Sequence, residues 1–171
     1  ERLFPSSQKR SEGNRRAIRL QPRLADAHVS LGIALKACGD LDSAIATYAQ
    51  GEGVNRSQAA PWLMHGQLTL SKNPNDPDLQ AAAQADYNQA IAIQPGNVDG
   101  YLQMAALYRL QNLLDQSKGQ IDTALGVAPG YSPAYVSRGE WWQAQSKFNE
   151  AIADYEKAAQ LDGTNTSAYD Q

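Results

Sequence analysis

The chain has 171 residues, 42% of them hydrophobic, which is enough apolar surface to bury a core and excludes a collagenous or disordered class. A formal net charge of −3 and a pI near 5.3 provide no long-range attraction to phosphate backbones or anionic membrane surfaces. The single cysteine, Cys38, has no intrachain disulfide partner, and no apolar run reaches the roughly 18 to 20 residues a membrane helix needs.

Taken in chain order, residues 1–16 read as an N-terminal arm or the start of a partial repeat, with Phe4-Pro5-Ser6-Ser7 fitting no later pattern. The first residue is Glu1 rather than Met, so the expectation is a segment of a longer chain. Residues 17–24, from Ala17-Ile18-Arg19-Leu20-Gln21-Pro22, match the end of a unit and close a preceding repeat. Four full units follow at 25–58, 59–97, 98–131 and 132–165, and residues 166–171 begin another.

The units are recognised by self-similarity at an offset of 34 residues. The fourth place holds a large ring: His28, Trp62, Tyr101 and Tyr135. The eighth is small: Gly32, Gly66, Ala105 and Gly139. A second small site follows at Ala44, Ala83, Ser117 and Ala151, then a bulky group at Tyr48, Tyr87, Ile121 and Tyr155, then a third small site at Gly51, Ala90, Ala124 and Ala158. Pro95, Pro129 and Gly163 read as helix stops. Ring and aliphatic residues three, four and seven apart share one helix face, so each unit is two amphipathic helices in a hairpin. Small residues let those helices approach while the rings fill the wider gaps. Gly39-Asp40 marks the turn inside the first full unit, and Ser132-Pro133 reads as an N-cap followed by proline at the first helical position. In the second unit a loop insertion at 73–77, within Asn73-Pro74-Asn75-Asp76-Pro77-Asp78, reads as a surface loop. It lacks the central Gly and terminal Glu of a calcium-binding hand.

This order of ring, small residue, aromatic, Ala and Pro resembles the tetratricopeptide repeat, and Ala151-Ile152-Ala153-Asp154-Tyr155-Glu156-Lys157-Ala158 is similar to that family's second-helix consensus. The resemblance covers about residues 17 to 165 and implies an all-α fold, a right-handed superhelix of antiparallel helix hairpins. His65 and Arg138 stand where the family prefers Leu, Arg56 replaces a terminal Pro, and Ala105 replaces a Gly. An unpaired Arg138 between packed helices would cost several kcal/mol, so an acidic partner or a path to solvent is expected.

No catalytic, cofactor or metal constellation is legible. His28 and His65 fall at packing places, and Gly51-Glu52-Gly53 follows a helix rather than a strand, which fails the context of a phosphate loop. Cys38 reads as an inert small residue, and the Trp141-Trp142 pair as filler within the hairpin. The resemblance implies a protein-interaction scaffold or adaptor with a peptide groove on its concave face, lined by the first helices: Val29, Ile33, Leu63, Met64, Gln67, Leu102, Gln103, Ala106, Arg109, Val136 and Glu140. That strip is largely apolar and suits an amphipathic helix or extended peptide of a partner protein. The Lys, Asn and Arg that grip a chaperone's C-terminal carboxylate in some members are absent at the corresponding places. A regulatory arm of a larger enzyme is the alternative reading. A helical-repeat nucleic-acid binder fits less well, because only Lys36 and Arg109 put positive charge at the twelfth place. Self-association through uncapped ends is a further expectation, and no feature assigns a compartment.

Overall fold

The computed structural model describes residues 5–20, 25–54 and 58–167. These form nine helices and no strand: α1 (Pro5–Leu20), α2 (Ala25–Ala37), α3 (Leu41–Val54), α4 (Ala59–Lys72), α5 (Pro77–Ile93), α6 (Val98–Leu110), α7 (Leu114–Val127), α8 (Ser132–Ala144) and α9 (Phe148–Ser167). The chain divides into two compact units, Glu1–Pro95 and Gly96–Gln171. In the first, α1 packs on α2, α2 pairs with α3, α4 with α5, and α4 also lies against α2 and α3. In the second, α6 pairs with α7 and α8 with α9, while α8 also meets α6 and α7.

The hairpins close through one interlock. The second small site is almost fully buried in all four repeats, at Ala44, Ala83, Ser117 and Ala151. Ser117 also donates its hydroxyl to the Ala105 carbonyl at 2.8 Å. Opposite, the eighth-place glycine receives a tyrosine ring. A Cβ on Gly66 would stand 2.7 Å from Tyr87 Cε1, and one on Gly139 2.5 Å from Tyr155 Cε1; Gly32 meets the Tyr48 ring in the same way. The third repeat carries Ile121 instead of tyrosine, and there Ala105 fits in place of glycine, with both residues fully buried. The family departure at Ala105 is therefore a matched change of volume across one contact.

The turn inside each hairpin depends on one left-handed residue. Gly39 (φ 81°), Asn112 (φ 59°) and Ser146 (φ 59°) occupy the same place in the first, third and fourth repeats. The following amides close on the helix end: Asp40 N donates to Leu35 O at 3.0 Å, Leu113 N to Tyr108 O at 2.8 Å and Lys147 N to Trp142 O at 3.0 Å. In the second repeat that place is Asn73, which precedes Pro74 and is extended (φ −153°), as the proline ring dictates. The chain there leaves the helix by another route.

Four expectations change. Only Asn73–Asp76 of the insertion is non-helical. Pro77 opens α5, Asp76 accepts from the amides of Asp78 (2.9 Å) and Leu79 (3.3 Å), and most of the extra length becomes helix. Residues 5–16, read as an arm or the start of a partial repeat, run in one helix with 17–20, where Ser11 is buried. Helix α9 passes through Gly163 to Ser167, so Gly163 is not a helix stop. One glycine costs a helix only about 1 kcal/mol and needs a left-handed exit to stop it. Ser132 is inside α8, whose N-cap is Tyr131; its hydroxyl donates to Ala158 O at 3.1 Å and ties α8 to α9. Arg56 lies outside the described residues, as do 168–171.

Candidate functional site

The first helices of adjacent repeats lie side by side within each unit, and their shared faces hold most of the expected groove residues. In the first unit Ile33 is 51% exposed on α2, with Val29 half-buried beside it and Met64 and Gln67 half-buried on α4. In the second, Gln103 and Ala106 are half-buried on α6 and Val136 is exposed on α8. Arg109 and Glu140 are brought together: Nη2 donates to Oε2 at 2.6 Å and joins α6 to α8. Leu63 and Leu102 are the correction, since each is about 5% exposed. Leu102 packs with Ala124 of α7 and Ala134 of α8, so in the second and third repeats the fifth place is core, while Val29 and Val136 at the same place stay half-buried and exposed. Met64 also leans on the core of Leu31, Leu35, Ala44, Tyr48 and Leu68. The exposed strip is thus narrower and more polar than its sequence implies.

The polar residues at the seventh place form the second feature. Arg138 on α8 is held by Asp154 on α9 in a two-pronged pair, Nε to Oδ2 at 2.8 Å and Nη2 to Oδ1 at 2.6 Å, with the guanidinium 5.2 Å from the centre of the Tyr135 ring. Hydrogen bonding to Asp154 raises the Arg138 pKa further. The expected acidic partner is therefore present. Trp141 is core, its indole N–H donating to Leu114 O at 2.7 Å, while Lys147 lies over the half-buried Trp142 ring. Cys38 is exposed at the end of α2.

His65, given a packing role by its place in the repeat, has two carboxylates against one ring atom. Its Nδ1 lies 2.9 Å from Asp86 Oδ2 on α5 and 3.1 Å from Glu52 Oε1 on α3. Contact with Asp86, then with Glu52, outweighs burial and raises the His65 pKa to about 10. Neither approach follows the ring N–H direction: all three atoms are buried without a hydrogen bond of good geometry. Glu52 also borders a cleft of about 450 Å³ lined by Ala49, Gly53, Trp62 and Gln89, and the buried Trp62 Nε1 has no hydrogen-bond partner. Sequence reading passed over Asp86 and Glu52. Once the insertion is removed, Asp86 and Asp154 share one place in their repeats, and that register carried the missing signal.

Solved structures place this architecture among known proteins. A thermophilic tetratricopeptide-repeat protein of Thermus thermophilus, TTC0263, superposes with a TM-score of 0.75 at 16% identity, covering 92% of this chain and 88% of that one. The chain has the fold of a tetratricopeptide-repeat solenoid. The Cut9–Hcn1 hetero-tetramer of the APC/C contains a chain that matches with a TM-score of 0.79 at 12% identity, over 91% of this chain and 29% of that one. Among curated proteins, the small glutamine-rich tetratricopeptide repeat-containing protein 2 of Saccharomyces cerevisiae is 30% identical over 81 residues, 47% of this chain. The DnaJ homolog subfamily C member 7 homolog of Dictyostelium discoideum is 30% identical over 88 residues, 49% of this chain. The matched stretches amount to 23% and 16% of those two relatives, so the chain spans only a minor part of either. No protein-family model matches it.

Proposed function

We propose that this chain is a protein-interaction scaffold that holds a helix or extended segment of a partner protein on the face shared by its first helices. The observation that carries the reading is the α2–α4 surface: Ile33 half-exposed, Val29 and Met64 half-buried, Gln67 at the edge, all on helices fixed by a closed core behind them. Such a face offers apolar area with little ordering cost, because the helices are already positioned. Tetratricopeptide repeats are in general non-catalytic interaction modules, and the Cut9 neighbour stands in a complex with a second protein, as its description states. Among the described residues, no helix is long and apolar enough to cross a membrane.

The correction at Leu63 and Leu102 sets the test. Glutamate at either would be buried, so the informative positions are Ile33 and Val29. A photo-reactive residue at Ile33 should cross-link a defined partner peptide, whereas the same residue at Ile152, 54% exposed on α9, should not. Val29→Glu with Ile33→Glu should keep the helical content and weaken capture about a hundredfold or more, since carboxylates would be desolvated against an apolar ligand. Equal cross-linking from both positions, or full capture by the folded double variant, would move the binding surface elsewhere.

A further inference from the structure

Three consecutive helices converge on one small volume within the first unit. Glu52 comes from the last turns of α3, His65 from the middle of α4 and Asp86 from the middle of α5. Their donor atoms lie within 4.8 Å of one another, and the side chains of Glu52, His65 and Asp86 are only 12%, 21% and 10% exposed. Each donor atom is buried without an aligned hydrogen bond. Buried polar atoms in native folds are nearly always satisfied, so three orphans facing one point need a common partner.

A cation at that point supplies one. Donors bound at about 2.1 Å, with angles between a right angle and the tetrahedral value, stand about 3.0 to 3.4 Å apart. The Nδ1 separations of 2.9 and 3.1 Å fall at the short end of that edge, and with all donor atoms within 4.8 Å a rotation of the flexible Glu52 side chain would bring the carboxylate oxygens into range. A proton shared off-axis between two oxygens serves neither well.

Charge points the same way. Two carboxylates and an imidazolium leave the cluster at −1, and among the described residues no Lys or Arg pairs with Glu52 or Asp86. Two carboxylates, a neutral imidazole and a divalent ion sum to zero, which lowers the cost of burial. We propose that Glu52, His65 and Asp86 form a binding site for a divalent transition-metal ion of the zinc class, clasping α3, α4 and α5. One imidazole nitrogen with two carboxylate oxygens is a borderline-to-hard donor set, suited to zinc and its first-row neighbours and poorly suited to magnesium, which keeps its waters. Glu52 is the one ligand of the three that also borders the cleft of about 450 Å³.

The experiment titrates the chelator-treated full chain with Zn²⁺ at pH 7.5 by calorimetry in two buffers of different ionisation enthalpy. The expected result is one ion per chain, release of about one proton per ion as Nδ1 gives up its hydrogen, and a higher melting temperature. A hundredfold excess of Mg²⁺ should not displace the zinc. Glu52→Gln and Asp86→Asn should each weaken binding tenfold or more at unchanged helical content, while Cys38→Ser, which removes the exposed thiol, should bind as the native chain does. Cobalt should give visible bands without an intense near-ultraviolet thiolate band. Should Asp86→Asn fail to fold, Glu52→Gln and the cobalt spectrum remain decisive. Absence of stoichiometric binding, binding indifferent to Glu52→Gln, or binding lost with Cys38→Ser would overturn the proposal and leave the cluster a proton-bridged ion group.

Discussion

The second and fourth repeats each put a basic side chain at the seventh place and an aspartate on the facing helix, yet the two pockets differ. Arg138 and Asp154 satisfy each other through two aligned hydrogen bonds and carry no net charge. His65 and Asp86 are joined by a second carboxylate, Glu52 from the preceding repeat, and no aligned hydrogen bond results. A one-to-one pair is closed and structural. A two-to-one cluster keeps unspent coordinating capacity, and the difference comes from a residue one repeat away.

The sharpest way to break the comparison is to remove each aspartate. Asp154→Ala should cost about 3 kcal/mol in urea denaturation, because a guanidinium two-thirds buried loses its partner. Asp86→Ala should cost about 1 to 2 kcal/mol less, since His65 retains Glu52 and can also shed its proton. Arg138→Leu with Asp154→Leu should return to within about 1 kcal/mol of the native chain, as paired replacement of buried ions by apolar groups does. Equal losses at both aspartates would erase the distinction.

Next in size is the glycine contact. Gly66→Ala should cost about 2 kcal/mol, because the ring it meets belongs to the fully buried Tyr87. Gly139→Ala should cost less, because Tyr155 is only half-buried and its ring can give way. Ala105→Gly in the third repeat should cost about 1 to 2 kcal/mol, from helix propensity and from the small void left against Ile121. Thermal melts of the three variants give the order.

A pH series sharpens the histidine side. With metal chelated, the His65 pKa lies near 10 in the folded chain and near 6.5 unfolded, so the protonated form is favoured by folding. Its stabilisation is full below about pH 6.5 and is lost as pH rises through about 10. Denaturation at pH 6, 8 and 10, read as the difference from a His65→Leu variant, should show that decline; a constant difference would deny the raised pKa. Smallest is Asp76→Ala, which removes the cap of α5 and should cost about 1 kcal/mol.

Much of the fold was legible because each packing place repeats: a reader needs only the small residues and the rings to find the hairpins. Their ends were less so. Gly163 has no Cβ but also no left-handed exit, and the polar run before Ala17 lacks a ring to mark its register, so α9 and α1 run longer than expected. Of the candidate groove, Ile33 and Val136 are on the surface, whereas Leu63 and Leu102 carry the same periodicity and are core. Periodicity gives the helix face but not which neighbour covers it. The Glu52–His65–Asp86 cluster was hidden for a plainer reason: its members sit on three helices, and the insertion shifts Asp86 out of simple alignment with Asp154.

The contact between the eighth-place residue and the ring opposite it also restricts the route by which one repeat can drift towards another. The third repeat, with Ala105 against Ile121, and its neighbours, with glycine against tyrosine, are both well packed, but the steps between them are not equivalent. Adding the methyl first drives it into a ring that, at the buried Tyr48 and Tyr87, has nowhere to go. Shrinking the ring first leaves a void that the methyl then fills, and a void is survivable where a collision with a buried ring strains the whole hairpin. Exchange at this contact is therefore directional: a repeat with glycine against tyrosine accepts the smaller ring-side residue first and the methyl second.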